Sequence, residues 1–249
     1  MDEKEWDKLL NIFQKNYNGY LFSEDCDTRL FNSDMILYYM QSYADSGRGP
    51  KSLIDRNIAS DYGKLGNIFE LKNKNSNMQV LEDILNGEEI TGHITDQFSF
   101  EKSFDEDDFK SLLFYMGLIT IDAPVLGGVS FKVPNYVIKG LYFEYFSKKI
   151  SEELDYEIKT TEISKAIRKI ALEGKNETFI SMVERTLTKL SNRDYIQFDE
   201  KYVKLIFLTY CFLSKIYLVK SEELRNLSNL KKWVLVFLKD KCVSNLEIE

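Results

Sequence analysis

Histidine and cysteine are scarce in this sequence. Its 249 residues include one histidine, His93, and three widely separated cysteines, Cys26, Cys211 and Cys242. Structural zinc sites use sets of His and Cys ligands, often in CxxC pairs, and no such pair occurs here. A catalytic Ser-His-Asp or Cys-His arrangement would depend on His93, and no GxSxG motif accompanies it. The sequence therefore predicts neither a zinc site nor a histidine-dependent nucleophile.

Signals for export and for membrane insertion are also missing. The first residues, MDEKEWDKLL, are charged and contain no apolar signal core, and the apolar stretches are too short and interrupted to span a bilayer. An odd number of distant cysteines is typical of reduced thiols. We therefore expect a cytoplasmic protein without a membrane partner.

Basic residues are also fewer than acidic ones. The chain has 33 Lys and Arg against 40 Asp and Glu, a net charge of -7. Broad binding to phosphate backbones needs a positive surface that displaces counterions. The composition thus argues against broad nucleic-acid binding, with a local basic patch as the alternative, and it is equally compatible with a partner that is itself basic.

With only 3 prolines and 12 glycines, the sequence has few breaks, and helical periodicity dominates it. Apolar residues from Trp6 to Phe13 predict a first helix that ends before the NYNGY turn. A second helix is expected to start at Asn32 or Ser33 and to stop at Gly47. ASDYGKLGNIFELKN and MQVLEDILNGEE predict two more helices, and EEITGHI predicts a short strand.

The middle of the chain predicts a winged-helix-like element. Ser103 or Asp105 can cap a helix that runs into Gly117. The strand LITID, a turn at Ala123–Gly128 and the strand VSFKVP follow, and a long helix is expected from Asn135 through Ile150. The predicted wing contains a single lysine, so we do not expect it to read DNA. We interpret the acidic run Asp105–Asp108 as a solvated helix start, with a partner surface as the alternative.

Three charged or apolar helical patterns and two closing strands follow Ile150. They are SEELDYEIKTTEISKAIRKIALEG, NETFISMVERTLTKLSNRD and FDEKYVKLIFLTYCFLSKIYLV, the last being apolar on most sides and therefore predicted to be buried. The fold class is predicted as α+β and predominantly helical, with a short terminal β-hairpin or sheet remnant. We expect two regions, 1–150 and 151–249.

The stretch SGRGPKS resembles a phosphate-binding loop only loosely. Pro50 stands between Gly49 and Lys51, where a backbone N–H donor is needed, and no strand precedes the stretch. We interpret it as a turn between helices, and we expect no cofactor.

Several separated motifs nevertheless agree in order with one known family. NYNGYLFS, LFNSDMILYYM, LIDRNIASDYGKL, FSFEKSF, SLLFYMGLITI and VPNYVIKGLYFEYF occur in this order. Together they resemble the large bacterial family that joins an AAA-ATPase-like region to a C-terminal PD-(D/E)XK nuclease-like domain. By this resemblance, region 1–150 corresponds to the end of the ATPase-like domain, without its nucleotide-binding part. ATP hydrolysis by this chain alone is therefore not expected.

The resemblance also implies a nuclease-like end, which here departs from the family pattern. The family places an acid first, then an Asp on the next strand, then Glu-x-Lys around Mg²⁺. Glu222 or Glu223 can stand for the first acid, but Asp240 comes only after its strand. The closing Glu247-Ile248-Glu249 has Glu where the family has Lys. The nuclease chemistry is therefore expected to be lost, and no catalytic, cofactor-binding or metal residue is assigned.

Three functions remain open at this stage. One is a non-catalytic interaction protein that binds and inhibits or regulates a partner, such as a nucleic-acid-guided nuclease, in the manner of an anti-CRISPR inhibitor. Another is a split or decayed subunit of an ATPase–nuclease system, whose partner is a separate ATPase subunit. The third is a metal-dependent nuclease completed by a partner, using Glu222, Glu223, Glu247 and Glu249. The sequence assigns no partner-binding residues, and the edge of the predicted terminal sheet makes a dimer an additional expectation.

Overall fold

The computed structural model describes residues 3–55, 65–71, 73–98, 104–154, 158–191 and 200–214. The chain divides into two compact units, the first formed by Met1–Ile84 with Glu89–Leu141 and the second by Leu85–Glu88 with Tyr142–Glu249. The fold is mixed α+β and predominantly helical, as the sequence predicts. The domain boundary near residue 150, with its ATPase-like and nuclease-like assignments, stays a prediction.

Helices account for most of the described elements. Those of the first part are α1 (Glu3–Tyr17), α2 (Ser33–Ser46), α3 (Leu65–Phe69), α4 (Lys74–Asn86) and α5 (Glu106–Tyr115). They are followed by α6 (Tyr136–Leu154), α7 (Thr160–Glu173), α8 (Glu177–Ser191) and α9 (Glu200–Leu213). The strands are β1 (Ile90–Gly92), β2 (Thr120–Val125) and β3 (Gly128–Lys132).

Local capping chemistry places several of these helix ends. The Asn32 side chain accepts a hydrogen bond from the backbone N–H of Met35, and Gly47 closes α2 in the left-handed conformation. Of the two candidate caps for α5, Asp105 forms a capping box with Asp108. Ser103, the other candidate, lies outside the described residues.

The three strands form one antiparallel sheet in the order β1-β3-β2. The turn between β2 and β3 is tighter than predicted, because β2 continues to Val125 and only Leu126 and Gly127 make the turn. The register shifts between Ile121 and Ala123, which leaves Asp122 opposite no residue of β3. Such a bulge bends an edge strand and changes where its side chains lie.

Each unit has its own apolar core. In the first unit α1 packs on α2, and Phe69 meets Phe109 edge to face with 5.2 Å between ring centroids. In the second unit α7, α8 and α9 pack pairwise, and α9 is buried on most sides, which confirms the prediction from its apolar sequence. Phe179 of α8 meets Phe207 of α9 edge to face at 5.2 Å.

Two further predictions concern membrane-spanning helices and the terminal strands. None of the helices in the described ranges combines the length and the apolar character that a bilayer span needs. The segment predicted to form the terminal strands, with Glu222, Glu223, Asp240, Glu247 and Glu249, lies outside the described residues.

Candidate interaction surface

A short closed loop stands out in the first unit. The backbone N–H of Tyr20 donates to the carbonyl of Leu30 at 3.1 Å, and the N–H of Leu30 donates to the carbonyl of Tyr20 at 2.7 Å. These two bonds join the ends of residues 21–29, which we call the closed loop. Compact loops with joined ends are frequent carriers of function, because a fixed base holds their tip in place.

The base of the closed loop is held against β2 by two side chains. The Thr120 hydroxyl accepts from the N–H of Leu21 at 2.7 Å and donates to its carbonyl at 3.0 Å. The Arg29 guanidinium donates to the carbonyls of Gly19 at 3.0 Å and Ile121 at 3.2 Å. It also reaches the carbonyl of Asp122 at 3.2 Å and its carboxylate at 3.3 Å. The planar fork of arginine suits several fixed acceptors at once.

The residues just before the closed loop explain part of the NYNGY motif. Gly19 has a φ of 108°, and a Cβ at this position would collide with the carbonyl of Pro134. The Asn135 amide donates to the carbonyl of Asn18 at 3.1 Å, while its side-chain oxygen accepts from the N–H of Ile138 and caps α6. Only glycine allows this close approach of two backbone segments.

Three exposed aromatic side chains are linked through ring contacts at the closed loop. Phe22 and Tyr115 contact the buried ring of Phe114, and Phe98 contacts Tyr115. Phe22 is 59% exposed, Phe98 43% and Tyr115 52%. The centroid of Phe114 lies 6.3 Å from that of Phe22 and 5.4 Å from that of Tyr115. Phe98 meets Tyr115 edge to face at 6.1 Å. We call Phe22, Phe98 and Tyr115 the aromatic surface.

The support beneath the aromatic surface is well packed. Phe114 is 6% exposed and also meets Phe131 of β3 with 6.1 Å between centroids. Tyr20 is buried and stacks on Phe22 at an interplanar angle of 11°. Burial raises the pKa of the Tyr20 phenol. The exposed rings therefore rest on a buried aromatic layer.

The tip of the closed loop is acidic. Glu24, Asp25 and Asp27 are all exposed, and Cys26 between them is exposed as well. Ser23 shapes the tip, since its hydroxyl accepts from the N–H of Asp25 at 3.2 Å. Arg29 is the one basic residue of the loop, and its guanidinium is hydrogen-bonded to four acceptors at the base of the loop. We call Glu24, Asp25 and Asp27 the acidic tip.

The backbone of His93 takes part in structural contacts. Its side chain is exposed, and its carbonyl accepts a hydrogen bond from the Ser111 hydroxyl at 3.3 Å. The same hydroxyl accepts from the N–H of Thr95 at 2.8 Å. Position 93 thus contributes backbone contacts that attach the end of β1 to α5.

The acidic run at the start of α5 is engaged in structural contacts. Asp105 and Asp108 form the capping box. Glu106 pairs with Lys110 at 2.6 Å and accepts from the Ser76 hydroxyl at 2.8 Å. These hydrogen bonds, the one from Lys110 first, hold the pKa of Glu106 below its usual value of 4.5.

The stretch SGRGPKS is held by tyrosine hydroxyls as a connection after α2. Tyr38 donates to the carbonyl of Ser52 at 3.2 Å, and Tyr17 donates to that of Leu53 at 2.7 Å. A Cβ at Gly49 would collide with the Tyr39 ring, so this glycine makes room for a packed side chain. Gly49 therefore has a packing explanation, whereas Gly47 ends α2 in the left-handed conformation.

One basic side chain donates hydrogen bonds to backbone carbonyls on each outer strand of the three-stranded sheet. Arg29 occupies carbonyls of β2, and the Lys110 ammonium donates to the carbonyl of Thr91 in β1 at 2.7 Å. Covered edges discourage pairing with strands of another chain. The edge from which a dimer was predicted belongs to the predicted terminal strands, and their residues lie outside the described ranges.

Metal ligands do not cluster in the described ranges, where no three His, Cys, Asp or Glu residues are placed to hold an ion. Comparison of the chain with protein-family models, with curated proteins and with solved structures finds no match. The resemblance to the ATPase–nuclease family thus stays a prediction from the motifs.

Sequence reasoning did not find the aromatic surface, although a signal was present. Phe22 lies in NYNGYLFS, Phe98 in FSFEKSF and Tyr115 in SLLFYMGLITI, three of the motifs that carry the resemblance. Each motif contributes one aromatic ring to the same patch. An exposed aromatic residue has no local signature, because burial depends on contacts with distant segments.

Proposed function

We propose that this chain is a non-catalytic interaction protein that binds a protein partner through the aromatic surface and thereby inhibits or regulates it. The observation that carries the proposal is the grouping of Phe22, Phe98 and Tyr115, each about half exposed, on a buried aromatic support. Exposed apolar side chains scattered singly are ordinary, whereas contiguous ones mark interaction sites.

Aromatic residues are suited to this role for energetic reasons. Phenylalanine and tyrosine have few rotatable bonds, so burying them against a partner gains large contact area for little lost side-chain entropy. Interfaces are enriched in such residues at their centre, where a few side chains dominate the binding free energy. The closed loop holds Phe22 in place before binding, which lowers the entropic cost further.

The charge of the chain supports a basic partner. The net charge of -7 and the acidic tip would draw the protein toward a positive surface. Nucleic-acid-handling effectors have positive binding channels. We therefore propose an effector such as a nucleic-acid-guided nuclease as the target, and an anti-CRISPR-like inhibitor as the role, in the cytoplasm.

The finer fold assignment is also proposed here. We take α5, β2, β3 and α6 as a winged-helix-like element, with the β2–β3 hairpin as its wing. Lys132, the single lysine of this wing, pairs with the carboxylate of Asp122. A neutralised lysine offers little to a phosphate backbone, which supports the use of this element in protein contacts.

The test is affinity capture from the host cell with matched variants. The tagged wild-type chain, the Phe22→Ser/Tyr115→Ser variant and the control Leu172→Ser are compared, with each variant first checked for wild-type thermal unfolding. Leu172 is an exposed leucine of α7, so its replacement removes apolar surface elsewhere. We expect a stoichiometric partner with the wild type and the control, and its loss with the double variant.

The outcomes separate the alternatives. Recovery of a nucleic-acid-guided nuclease supports an inhibitor, and recovery of a separate ATPase subunit supports the split-subunit function. Equal recovery with the double variant would refute the aromatic surface as the binding site. If nothing is captured, Mg²⁺- or Mn²⁺-dependent cleavage that is lost in Glu222→Ala and Glu247→Ala would establish the nuclease alternative.

A further inference from the structure

We infer that the partner meets this surface through a basic segment in which lysine or arginine residues flank an apolar anchor. This inference rests on the proposed function and specifies the chemistry of the bound segment. Its basis is the position of the acidic tip directly after Phe22 in the same closed loop. Apolar and charged contacts would therefore be made by neighbouring parts of one bound segment.

The apolar anchor follows from the aromatic surface. Phe22 and Tyr115 both contact the same buried ring, that of Phe114, and Phe98 lies against Tyr115. Exposed ring faces and edges around one centre suit an aliphatic or aromatic side chain, and they also attract cations by the ring quadrupole. An arginine or lysine beside the anchor is favoured by the rings themselves.

The basic flank follows from the charge balance of the closed loop. Its three acids are exposed, while the guanidinium of Arg29 is directed to backbone carbonyls and Asp122 at the base. The tip therefore carries a negative charge that no residue of the loop compensates. Charge complementarity of this kind speeds association and selects against acidic or neutral partners.

The same charge disfavours two other occupants. A second copy of this chain, docked by a two-fold axis on the aromatic surface, would bring two acidic tips toward each other. An anionic membrane surface would repel the tip in the same way. A basic protein segment meets both the rings and the acids without repulsion.

The experiment selects a phage-displayed library of random peptides on the immobilised intact chain. The most enriched peptide is then synthesised, and its affinity is measured by fluorescence anisotropy at low and high salt. Three variants are compared with the wild type: Phe22→Ser, Glu24→Lys/Asp27→Lys and the control Asp7→Lys/Glu184→Lys. The control reverses two exposed acids elsewhere, so it changes the net charge equally.

We expect enriched peptides with Lys or Arg beside an apolar residue, and weaker binding at high salt. Glu24→Lys/Asp27→Lys should weaken binding about tenfold, or about 1.4 kcal/mol, and the control should leave it within about twofold of the wild type. Equal effects of the two charge variants would overturn the inference. So would enriched peptides without basic residues, binding of phosphatidylcholine vesicles or a concentration-dependent dimer that buries Phe22.

Failure of this inference is distinguishable from failure of the proposed function. If the enriched peptides need Phe22 for binding but carry no basic residue, the proposed interaction role is supported and the inference of a basic partner segment is refuted. Peptides insensitive to Phe22→Ser, together with capture insensitive to Phe22→Ser/Tyr115→Ser, would overturn both.

Discussion

The Thr120 hydroxyl satisfies both backbone groups of Leu21, accepting from its N–H at 2.7 Å and donating to its carbonyl at 3.0 Å. Both bonds are buried and join residues 99 positions apart. The Thr120 side chain of β2 therefore satisfies the backbone hydrogen-bonding groups of Leu21 in the closed loop, as a neighbouring strand would. The position of Phe22, the next residue, depends on this pair.

Replacement of Thr120 by valine tests this pair. The substitution keeps the shape of the side chain and leaves the Leu21 N–H and carbonyl buried without partners. We expect the free energy of unfolding to fall by about 1–3 kcal/mol, the typical cost of such groups. The measurement is urea unfolding followed by circular dichroism.

The matched control for that variant is Thr91→Val, since Thr91 is an exposed residue of β1. Surface substitutions of this type usually stay within about 0.5 kcal/mol. If both variants lose equal stability, the hydroxyl of Thr120 is not what holds the closed loop.

Replacement of Arg29 by lysine tests the fork at the loop base. Lysine keeps the charge but cannot bridge the carbonyls of Gly19, Ile121 and Asp122 together. We expect the amides of Tyr20 and Leu30 to exchange at least about fivefold faster with deuterium, because local opening of the closed loop becomes easier. Hydrogen exchange by mass spectrometry or NMR reports these rates.

Arg48→Lys is the control for that measurement, because Arg48 is exposed in the connection after α2. It should leave the exchange at Tyr20 and Leu30 unchanged. Unchanged exchange in Arg29→Lys as well would mean that the two backbone bonds close the loop without the guanidinium.

The pairing of Glu106 predicts a specific dependence on pH. Its folded-state pKa is lowered by Lys110 and Ser76, so its stabilisation is present above the usual pKa of 4.5 and is lost as the pH falls through the lower folded value. Glu106→Gln should therefore be less stable than the wild type near neutral pH. The difference should stay below about 1 kcal/mol, since the side chain is half exposed.

Urea unfolding midpoints measured across acid and neutral pH test this prediction. The difference in unfolding midpoint between the wild type and Glu106→Gln should disappear as the pH falls below the folded-state pKa of the Glu106 carboxyl. Glu184→Gln, an exposed glutamate of α8, controls for the loss of one surface charge. A gap that persists unchanged in acid would contradict the expected ionic origin.

The two described cysteines should differ sharply in reactivity. Burial raises the pKa of Cys211 to about 12 from a usual 9.0, so its thiolate at mildly alkaline pH is reduced about a thousandfold. Cys26 is exposed in the closed loop. In a Cys242→Ser background, a thiol reagent should modify Cys26 at once and Cys211 only after denaturation.

A Cys26→Ser/Cys242→Ser variant isolates Cys211 for this assay. Fast labelling of that variant in native buffer, at a rate matching the denatured chain, would show that the α9 core opens readily. Slow labelling that accelerates in urea would confirm the protected position.

Much of the helical framework could be predicted because its signals are local. Apolar spacing identified α1, α2 and α9, and the cap residues Asn32 and Gly47 set ends that the structure confirms. The predicted boundaries were less accurate for two other helices. Helix α4 begins at Lys74, four residues before the predicted stretch, and α6 continues beyond Ile150 to Leu154.

The sequence by itself determined the chain's acidic balance, its helical periodicity and the caps and turns that a few neighbouring residues encode. Only the tertiary structure decided that Phe22 and Tyr115 share a contact with Phe114 while Phe98 lies against Tyr115, and that Thr120 and Arg29 hold the closed loop. The physical reason is the sequence separation over which each kind of interaction acts. Periodicity and capping act within a few residues. The contacts of Phe22 with Phe114, of Leu21 with Thr120 and of Arg29 with Ile121 instead join residues about 90 to 100 positions apart, and they form only when the whole unit packs.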